Sequence, residues 1–368
     1  MEEKTHKQLG FIDCMGLGIG QIIGSGVMVL TGGPGTGKTT VIRAVITVFQ
    51  RMGLHIALAA PTGRAAKRMS EATSHEAKTV HRLLETDFSN DNEPKFRRNE
   101  NDTLEEDVII VDEMSMVDTL LFASLLKAIK PGARLILIGD SDQLPPVGAG
   151  YVLNDILESD RFHSVRLKEI FRQAESSRIV RNAHAINNGE YPDLSIKDGD
   201  FFFLVREDER TIPTTVSDLI VSRLPKKYGE DIRRGIQVIT PSHKGVAGTE
   251  CLNALLQTAL NPPAPNKREK KVRDVVFREG DKVMQTKNNY DIPWEREGKE
   301  GVGIFNGDIG RILSVNPTEE TVTVDFEGRI TVYDYSQLDE IEHAYAITIH
   351  KSQGSEYPVV ILPIYSYS

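Results

Sequence analysis

From Val27 onward, short runs that are apolar at every position alternate with stretches in which apolar residues recur every three or four positions. A continuous apolar run is a strand covered on both faces. The second pattern is a helix with one buried stripe. The runs at 27–30, 55–60, 108–111 and 135–138 predict strands, and the stretches at 39–52, 63–74 and 116–129 predict the helices between them. That alternation predicts a doubly wound α/β domain with a parallel sheet, interrupted by a polar, charge-rich insert at 87–107 that reads as a small hairpin. A helical run to residue 185 and strands at 237–240 and 359–363 predict a second α/β unit. Between those strands the pattern changes at 307–335 to short alternating strands with turns at Asn316-Pro317 and Glu327-Gly328, which predicts a small β-barrel inserted into the second unit. The expected organisation is therefore a first domain at 27–173, a second at 174–305 and 342–368, and a barrel at 306–341. Residues 261–271, three prolines and then a basic run, read as a mobile surface loop.

Residues 1–26 fit none of this. No formally charged residue occurs from 14 to 33, a length that would just span a bilayer. Gly16, Gly18, Gly20, Gly24 and Gly26 argue against a helix there, since each costs about 1 kcal/mol relative to Ala. A basic start and a small-residue cleavage site, the marks of a signal peptide, are also missing.

The whole chain of 368 residues carries 44 Lys+Arg against 53 Asp+Glu, a net charge of −9, with a pI near 5.6. Such acidity excludes binding of nucleic acid by bulk charge but leaves room for a local cationic groove. Two cysteines, Cys14 and Cys251, supply no disulfide framework and fit a reducing, cytoplasmic setting.

Gly32-Gly33-Pro34-Gly35-Thr36-Gly37-Lys38-Thr39 follows a predicted strand and opens a predicted helix, the context of a phosphate-binding loop. Glycines let the backbone wrap a phosphate with its N–H groups. Lys38 would reach the β- and γ-phosphates, and the Thr39 hydroxyl would sit on Mg²⁺. The strand at 108–111 ends in Asp112-Glu113, where Asp112 could join the Mg²⁺ shell and Glu113 could take a proton from an attacking water. Taken alone, such a strand end is as often merely solvated. A further strand ends in Gly139-Asp140 and runs on to Gln143 and Pro145-Pro146. The Gln143 amide could bond a γ-phosphate or its water, or the segment could be a Pro-stiffened turn.

Together with residues 31–40, the segments Ala60-Pro61-Thr62-Gly63-Arg64-Ala65-Ala66, Thr79-Val80-His81-Arg82-Leu83-Leu84, Asp112-Glu113-Met114-Ser115-Met116, Gly139–Pro146, Phe171-Arg172-Gln173 and Ala346–Glu356 resemble, in order and spacing, the motifs of RecD-like superfamily 1 DNA helicases. The resemblance implies two RecA-like P-loop domains with parallel sheets and an SH3-like insert. It implies a motor that hydrolyses Mg-ATP and moves 5′ to 3′ on single-stranded DNA, at a 5′ overhang or fork, in repair or recombination. It assigns Gly33, Pro34, Gly35, Thr36, Gly37, Lys38, Thr39, Thr40 and Asp112 to ATP, Thr39 and Asp112 to Mg²⁺, and Lys38, Glu113, Gln143 and Arg172 to catalysis. For DNA it offers Pro61, Thr62, Arg64, Thr79, His81 and Arg82 in the first domain, with Thr240, His243, Lys244, Thr348, His350, Lys351 and Ser352 in the second. Hydroxyls, amides and cations at strand ends suit phosphate gripping, although each residue alone could equally be a helix cap or a solvated loop.

Two departures stand out. Residues 9–32 resemble the start of amino acid permeases instead of the family's adenine-contacting helix, and the chain stops at Ser368, before the family's last arginine motif. The expectation is a monomeric DNA motor with no small-molecule substrate besides ATP and no membrane span. The competing expectations are a fragment that binds nucleotide and single strands without turnover, a membrane-associated protein on the strength of the first 32 residues, and a motor acting on RNA or in conjugation.

Overall fold

The computed structural model describes residues 26–87, 95–167, 176–195 and 199–365. The glycine-rich arm up to residue 25, with its permease-like segment, the Arg172 position, part of the charge-rich insert and the last three residues lie outside the described residues. The chain divides into two compact units, Met1–Leu204 and Val205–Ser368.

The first unit is built in the order β1 (Val27–Gly32), α1 (Lys38–Arg51), β2 (Ile56–Ala60), α2 (Gly63–Thr73), β3 (Ala77–Thr79) and the single turn α3 (Val80–Leu83). A two-residue hairpin, β4 (Thr86–Asp87) with β5 (Lys95–Phe96), precedes β6 (Val108–Val111), α4 (Thr119–Ala128), β7 (Arg134–Gly139), α5 (Val152–Glu158), β8 (His163–Leu167) and α6 (Arg178–Asn187). Six strands form one parallel sheet in the order β3-β2-β6-β7-β1-β8.

Alternate residues of these strands feed two cores, one on each face. Val29, Ile109, Val111 and Leu137 pack with Leu125 of α4 and Val152 of α5. Met28, Leu30, Ile110 and Ile138 pack with Ile42, Val45, Ile46 and Phe49 of α1. The central strands β1, β2, β6 and β7 lack polar alternation because neither of their faces meets water, and each fully buried aliphatic side chain contributes about 1.5–3 kcal/mol. The expected helix at 116–129 starts later than its apolar pattern. Met114–Met116 is a separate 3₁₀ turn, and Asp118 caps α4 by accepting from the Leu121 N–H at 2.8 Å.

α6 was expected to open the second domain, yet it belongs to the first unit. The Gly33 α-carbon faces the His184 ring of α6, and a Cβ on Gly33 would lie 2.9 Å from His184 Cε1.

The second unit opens with α7 (Ile212–Asp218), which runs through a π-helical turn at Leu219–Arg223 into α8 (Leu224–Tyr228), then α9 (Ile232–Gly235), β9 (Ile236–Thr240) and α10 (Thr249–Leu260). A hairpin of β10 (Glu269–Val272) and β11 (Val275–Arg278) leads to β12 (Lys282–Gln285), β13 (Asn289–Arg296), β14 (Lys299–Ile304), β15 (Ile309–Asn316), β16 (Thr321–Phe326), β17 (Arg329–Asp334) and β18 (Ile341–His343). The unit ends with β19 (Ala346–Thr348), the single turn α11 (Ile349–Ser352) and β20 (Val359–Ile361). β19-β9-β20 is a parallel sheet, and β14-β13-β17-β16-β15-β12-β18 is antiparallel.

The antiparallel sheet is larger than the expected 306–341 barrel, because β12, β13 and β14 join it from the N-terminal side and β18 from the other. Its sequence signal is weaker there: half of the residues of β13 and β14 are exposed and few are buried, so alternation is lost. The supposed mobile loop at 261–271 is also more ordered than its composition implies. Asn261 is buried and donates through Nδ2 to Asp281 Oδ1 at 2.7 Å, and 269–272 is strand β10.

Asp281 is the fully buried hub of this junction. It accepts from the Tyr345 hydroxyl at 2.9 Å, from Gln257 Nε2 at 2.7 Å and from the Arg278 N–H at 2.7 Å, with His343 Nε2 at 3.2 Å. α10, the β10–β11 hairpin, β12 and the β18–β19 connection are thereby tied to one carboxylate.

Candidate nucleotide site and strand-contact loops

The loop between β1 and α1 has the backbone its glycines predict. Gly35 and Gly37 take φ of 76° and 81°, a region closed to most side chains. Gly32 has no room for one, since a Cβ there would meet Thr36 Oγ1 at 2.6 Å. Lys38 Nζ is held over the loop by two backbone carbonyls, donating to Gly32 O and, at 3.3 Å, to Gly33 O. Thr36 Oγ1 donates to the same Gly33 carbonyl at 2.8 Å. The cation is thus positioned before any anion arrives. Thr39 and Thr40 begin α1 with their side chains exposed, and Pro34 and Gly35 are exposed at the tip.

β6 lies two strands from β1, with β7 between them, and delivers Asp112 and Glu113 to the C-terminal edge of the sheet, the edge that carries the loop. The Glu113 N–H donates to Asp112 Oδ1 at 2.8 Å. Glu113 is held at φ 55°, a strained backbone that for a residue with a side chain costs about 1–3 kcal/mol. Burial, and then the neighbouring Asp112 carboxylate, raise the Glu113 pKa to about 7, with Arg68 and Lys38 opposing. Burial raises Asp112 as well, against the Glu113 N–H, Lys38 and Arg68. Thr39, Arg68, Asp112 and Glu113 line one small open cavity of ≈ 60 Å³.

These residues fit a nucleotide and its metal. The loop is a cradle that side chains would fill, and Thr39 and Asp112 are a hydroxyl and a carboxylate, the oxygen donors Mg²⁺ takes when phosphates complete its shell. Among the described residues no cluster of three or more His, Cys, Asp or Glu could hold a metal by itself, and a phosphate-bound Mg²⁺ needs none. Gln143 follows β7 and accepts from the Ser115 hydroxyl at 3.3 Å, which places its amide beside the Asp112-Glu113 turn. Arg172 lies outside the described residues. Sequence reasoning passed over three participants: Arg68, one helical turn beyond Arg64 on α2; Ser115, the Gln143 donor; and His184. The i,i+4 spacing of Arg64 and Arg68 was a usable signal, whereas His184 had none.

The strand-contact candidates gather at two sheet edges. In the first unit Ala60 and Thr79 are in register on β2 and β3, so 61–64 and 79–82 leave the same edge side by side. In the second, Thr240 and Thr348 are in register on β9 and β19, which brings 240–244 and 348–352 together.

The hydroxyls, however, are engaged structurally. Thr62 caps α2 by accepting from the Ala65 N–H at 3.2 Å, Thr79 caps α3 from Arg82 at 3.1 Å, and Thr348 caps α11 from Lys351 at 3.4 Å. Thr240 is fully buried and donates to Ala247 O at 2.6 Å, so its side chain supports the loop and cannot grip a strand. Ser352 back-bonds to Ile349 O at 2.7 Å. Lys351 Nζ is paired with Glu342 at 2.5 Å. His81 lies against Phe96, ring centroids 5.9 Å apart, and its pKa is lowered by burial against the pull of Asp118. Pro61 and Arg64 are half-buried, while Arg82, His243, Lys244 and His350 are exposed at these edges.

Comparison with known proteins matches three family models to the chain. An AAA domain model matches residues 18–149, an ATP-dependent RecD-like DNA helicase SH3 domain model matches 252–326, and a UvrD-like helicase C-terminal domain model matches 343–368. The first match begins upstream of Val27, where the resemblance was expected to start. The chain is 37% identical over 341 residues to the ATP-dependent RecD2 DNA helicase of Deinococcus radiodurans, covering 93% of this chain and 43% of that protein. It is 31% identical over 373 residues to the RecBCD enzyme subunit RecD of Mycolicibacterium smegmatis, covering 91% and 62%. The chain therefore spans about half the length of these curated relatives.

Among solved structures, a study of DNA unwinding at forked duplexes by two coordinating Pif1 helicases gives a TM-score of 0.53 at 22% identity over 95% of this chain and 84% of that one. The Pif1 helicase of Candida albicans gives 0.50 at 18% over 95% and 88%. At those identities the likeness is one of fold. Among the described residues no helix is long and apolar enough to cross a membrane. The AAA match on the phosphate-loop unit, the RecD-like SH3 match on the antiparallel sheet and the identity along nearly the whole chain lead to one conclusion: the chain belongs to the RecD-like helicase family.

Proposed function

We propose that this chain is the motor portion of an ATP-dependent DNA helicase that moves 5′ to 3′ along single-stranded DNA, acting in the cytoplasm in repair or recombination. The observation that carries the reading is the arrangement at one sheet edge: Lys38 anchored over a glycine cradle by the Gly32 and Gly33 carbonyls, with the Asp112-Glu113 turn and Gln143 delivered by β6 and β7. Thr39 and Asp112 would hold Mg²⁺, which supplies charge neutralisation on the phosphates. Glu113, with a proton affinity near neutrality, is suited to take a proton from water. Gln143 would orient that water. The exposed cations Arg82 and Lys244 and the exposed His350 imidazole, on loops at two strand edges, suit contact with phosphates and carry no sequence reading.

The names of the relatives, an ATP-dependent DNA helicase and a RecBCD subunit, support this assignment. The test is ATP hydrolysis with and without single-stranded DNA for the wild type and Lys38→Ala. DNA-stimulated turnover that Lys38→Ala abolishes is expected; turnover indifferent to both would refute the reading.

A further inference from the structure

The nucleotide site has a neighbour that none of the motifs accounts for. His184, on α6, lies against Gly33, and a Cβ on that glycine would stand 2.9 Å from Cε1 and 3.6 Å from Nε2. Gly33 is the residue whose carbonyl receives both Lys38 Nζ and Thr36 Oγ1. The ring thus lies beside the backbone that fixes the cation of the loop, in the space a side chain would need. His184 Nε2 is buried and finds no hydrogen-bond partner among the described residues. A buried ring nitrogen left unpaired is costly, so its persistence beside an anion-binding loop calls for a reason.

The platform that carries the ring is anchored independently of the loop. Ser177 caps α6 by accepting from the Val180 N–H at 3.3 Å and donates to Asp200 Oδ2 at 2.6 Å, while Asp200 Oδ1 accepts from the Arg178 N–H at 2.8 Å. Asn182, buried in the middle of the helix, clamps the Asp193 backbone at both ends of its amide, at 3.0 and 3.3 Å. A helix fixed at its cap and centre holds the imidazole in place without help from Gly33.

We propose that His184 is a positioning residue for the terminal phosphate: its ring braces Gly33, and its Nε2–H donates to an oxygen of the γ-phosphoryl group of a bound nucleoside triphosphate. The inference rests on the nucleotide reading of the loop. It has a consequence that bracing alone lacks. A nucleoside diphosphate brings no γ-oxygen, so loss of the Nε2 donor weakens triphosphate binding and spares diphosphate binding. A lost brace weakens both alike.

The experiment measures the affinities of ADP and of a non-hydrolysable ATP analogue, by competition with a fluorescent nucleotide, for the wild type, His184→Phe, His184→Gln, His184→Ala and Lys38→Ala, each checked for native circular dichroism. The expected result is a roughly tenfold loss for the ATP analogue in His184→Phe and His184→Ala, ADP affinity within about twofold, and partial recovery in His184→Gln through its amide N–H. His184→Ala adds no bulk and reads the same ratio should the larger phenyl ring unfold the unit. If Lys38→Ala loses nucleotide but the His184 variants lose neither nucleotide, or lose both equally, the γ-phosphate contact is overturned and the site reading stands. If Lys38→Ala also leaves both affinities unchanged, the nucleotide reading falls and takes the inference with it.

Discussion

Glu113→Gln is expected to stabilise the protein while removing its hydrolytic activity, and the size of the effect follows from where the side chain sits. An unperturbed glutamate titrates near 4.5, whereas burial and the Asp112 carboxylate raise Glu113 to about 7. Between those values the unfolded chain has released the proton and the folded chain still holds it. Stability therefore falls as pH rises from 4.5 to 7 and stays low above 7. At about 1.4 kcal/mol per pH unit the full fall is about 3 kcal/mol, a ceiling because the Asp112–Glu113 pair shares the effect. Glutamine has the same shape and no charge, so the variant escapes the fall. In nucleotide-free, Mg²⁺-free buffer the melting temperature of Glu113→Gln should exceed that of wild type at pH 8 by several degrees and match it near pH 4.5, since 1 kcal/mol corresponds to about 2–4 °C for a unit of this size. Mg-ATP should narrow the gap at pH 8, because a cation beside Asp112 favours the ionised pair. A variant no more stable than wild type at pH 8, or a gap that does not change with pH, would refute the argument that Glu113 is held protonated by its surroundings.

Lys38→Ala should weaken ATP about tenfold to a hundredfold, from the loss of a charged contact of about 1.5–3 kcal/mol, as read by calorimetry. Asp281→Ala should destabilise the second unit by about 3 kcal/mol or more in urea melts, because it strands Gln257, Asn261 and Tyr345 without their acceptor. Burial pushes the Asp281 carboxyl up, but the bonds from His343 and Asn261 outweigh it and leave its pKa below the usual value. Its contribution is therefore present above the ordinary aspartate range and lost as pH falls through the folded value; equal acid midpoints for wild type and Asp281→Asn would contradict this. Binding to single strands should exceed binding to duplex and weaken as salt rises, with a shallower salt dependence for Lys244→Ala than for wild type, as measured by fluorescence anisotropy across a salt series.

The first unit was legible because its physics is local. Strands buried on both faces have to be apolar throughout, α1 and α2 show their stripes, and the strand ends carry the polar residues that a sheet edge exposes. The second unit was less legible where its order depends on distant partners. Asn261 looks like a loop residue beside Pro262 and Pro263, and only Asp281, twenty residues on, makes it a buried one. β13 and β14 have few buried side chains, so their pairing rests on backbone bonds that the pattern of residue types does not record. The compact units divide at 204, beyond the expected boundary at 173. α6 looks like any amphipathic helix, and its approach to Gly33 involves a residue with no side chain to advertise it.

At the site, the residues that could be read were those whose chemistry depends on position in a short motif: the loop glycines, Lys38, Asp112 and Glu113. The threonines carry a second role that the motif does not announce. A hydroxyl where a strand meets a helix serves the helix as well as a ligand: Thr62, Thr79 and Thr348 each accept the third N–H beyond themselves, and each keeps an O–H that can donate outward. Such a cap contributes about 1 kcal/mol and fixes the backbone of the edge loop, so these residues shape the surface while Arg82 and Lys244 supply its charge. Thr240 goes further inward, tying the β9 edge to Ala247 and thereby closing the turn that presents His243 and Lys244. A motif of this kind therefore records two demands at once, the geometry of the loop and the chemistry of its ligand, and only the hydrogen bonds tell which residue answers to which.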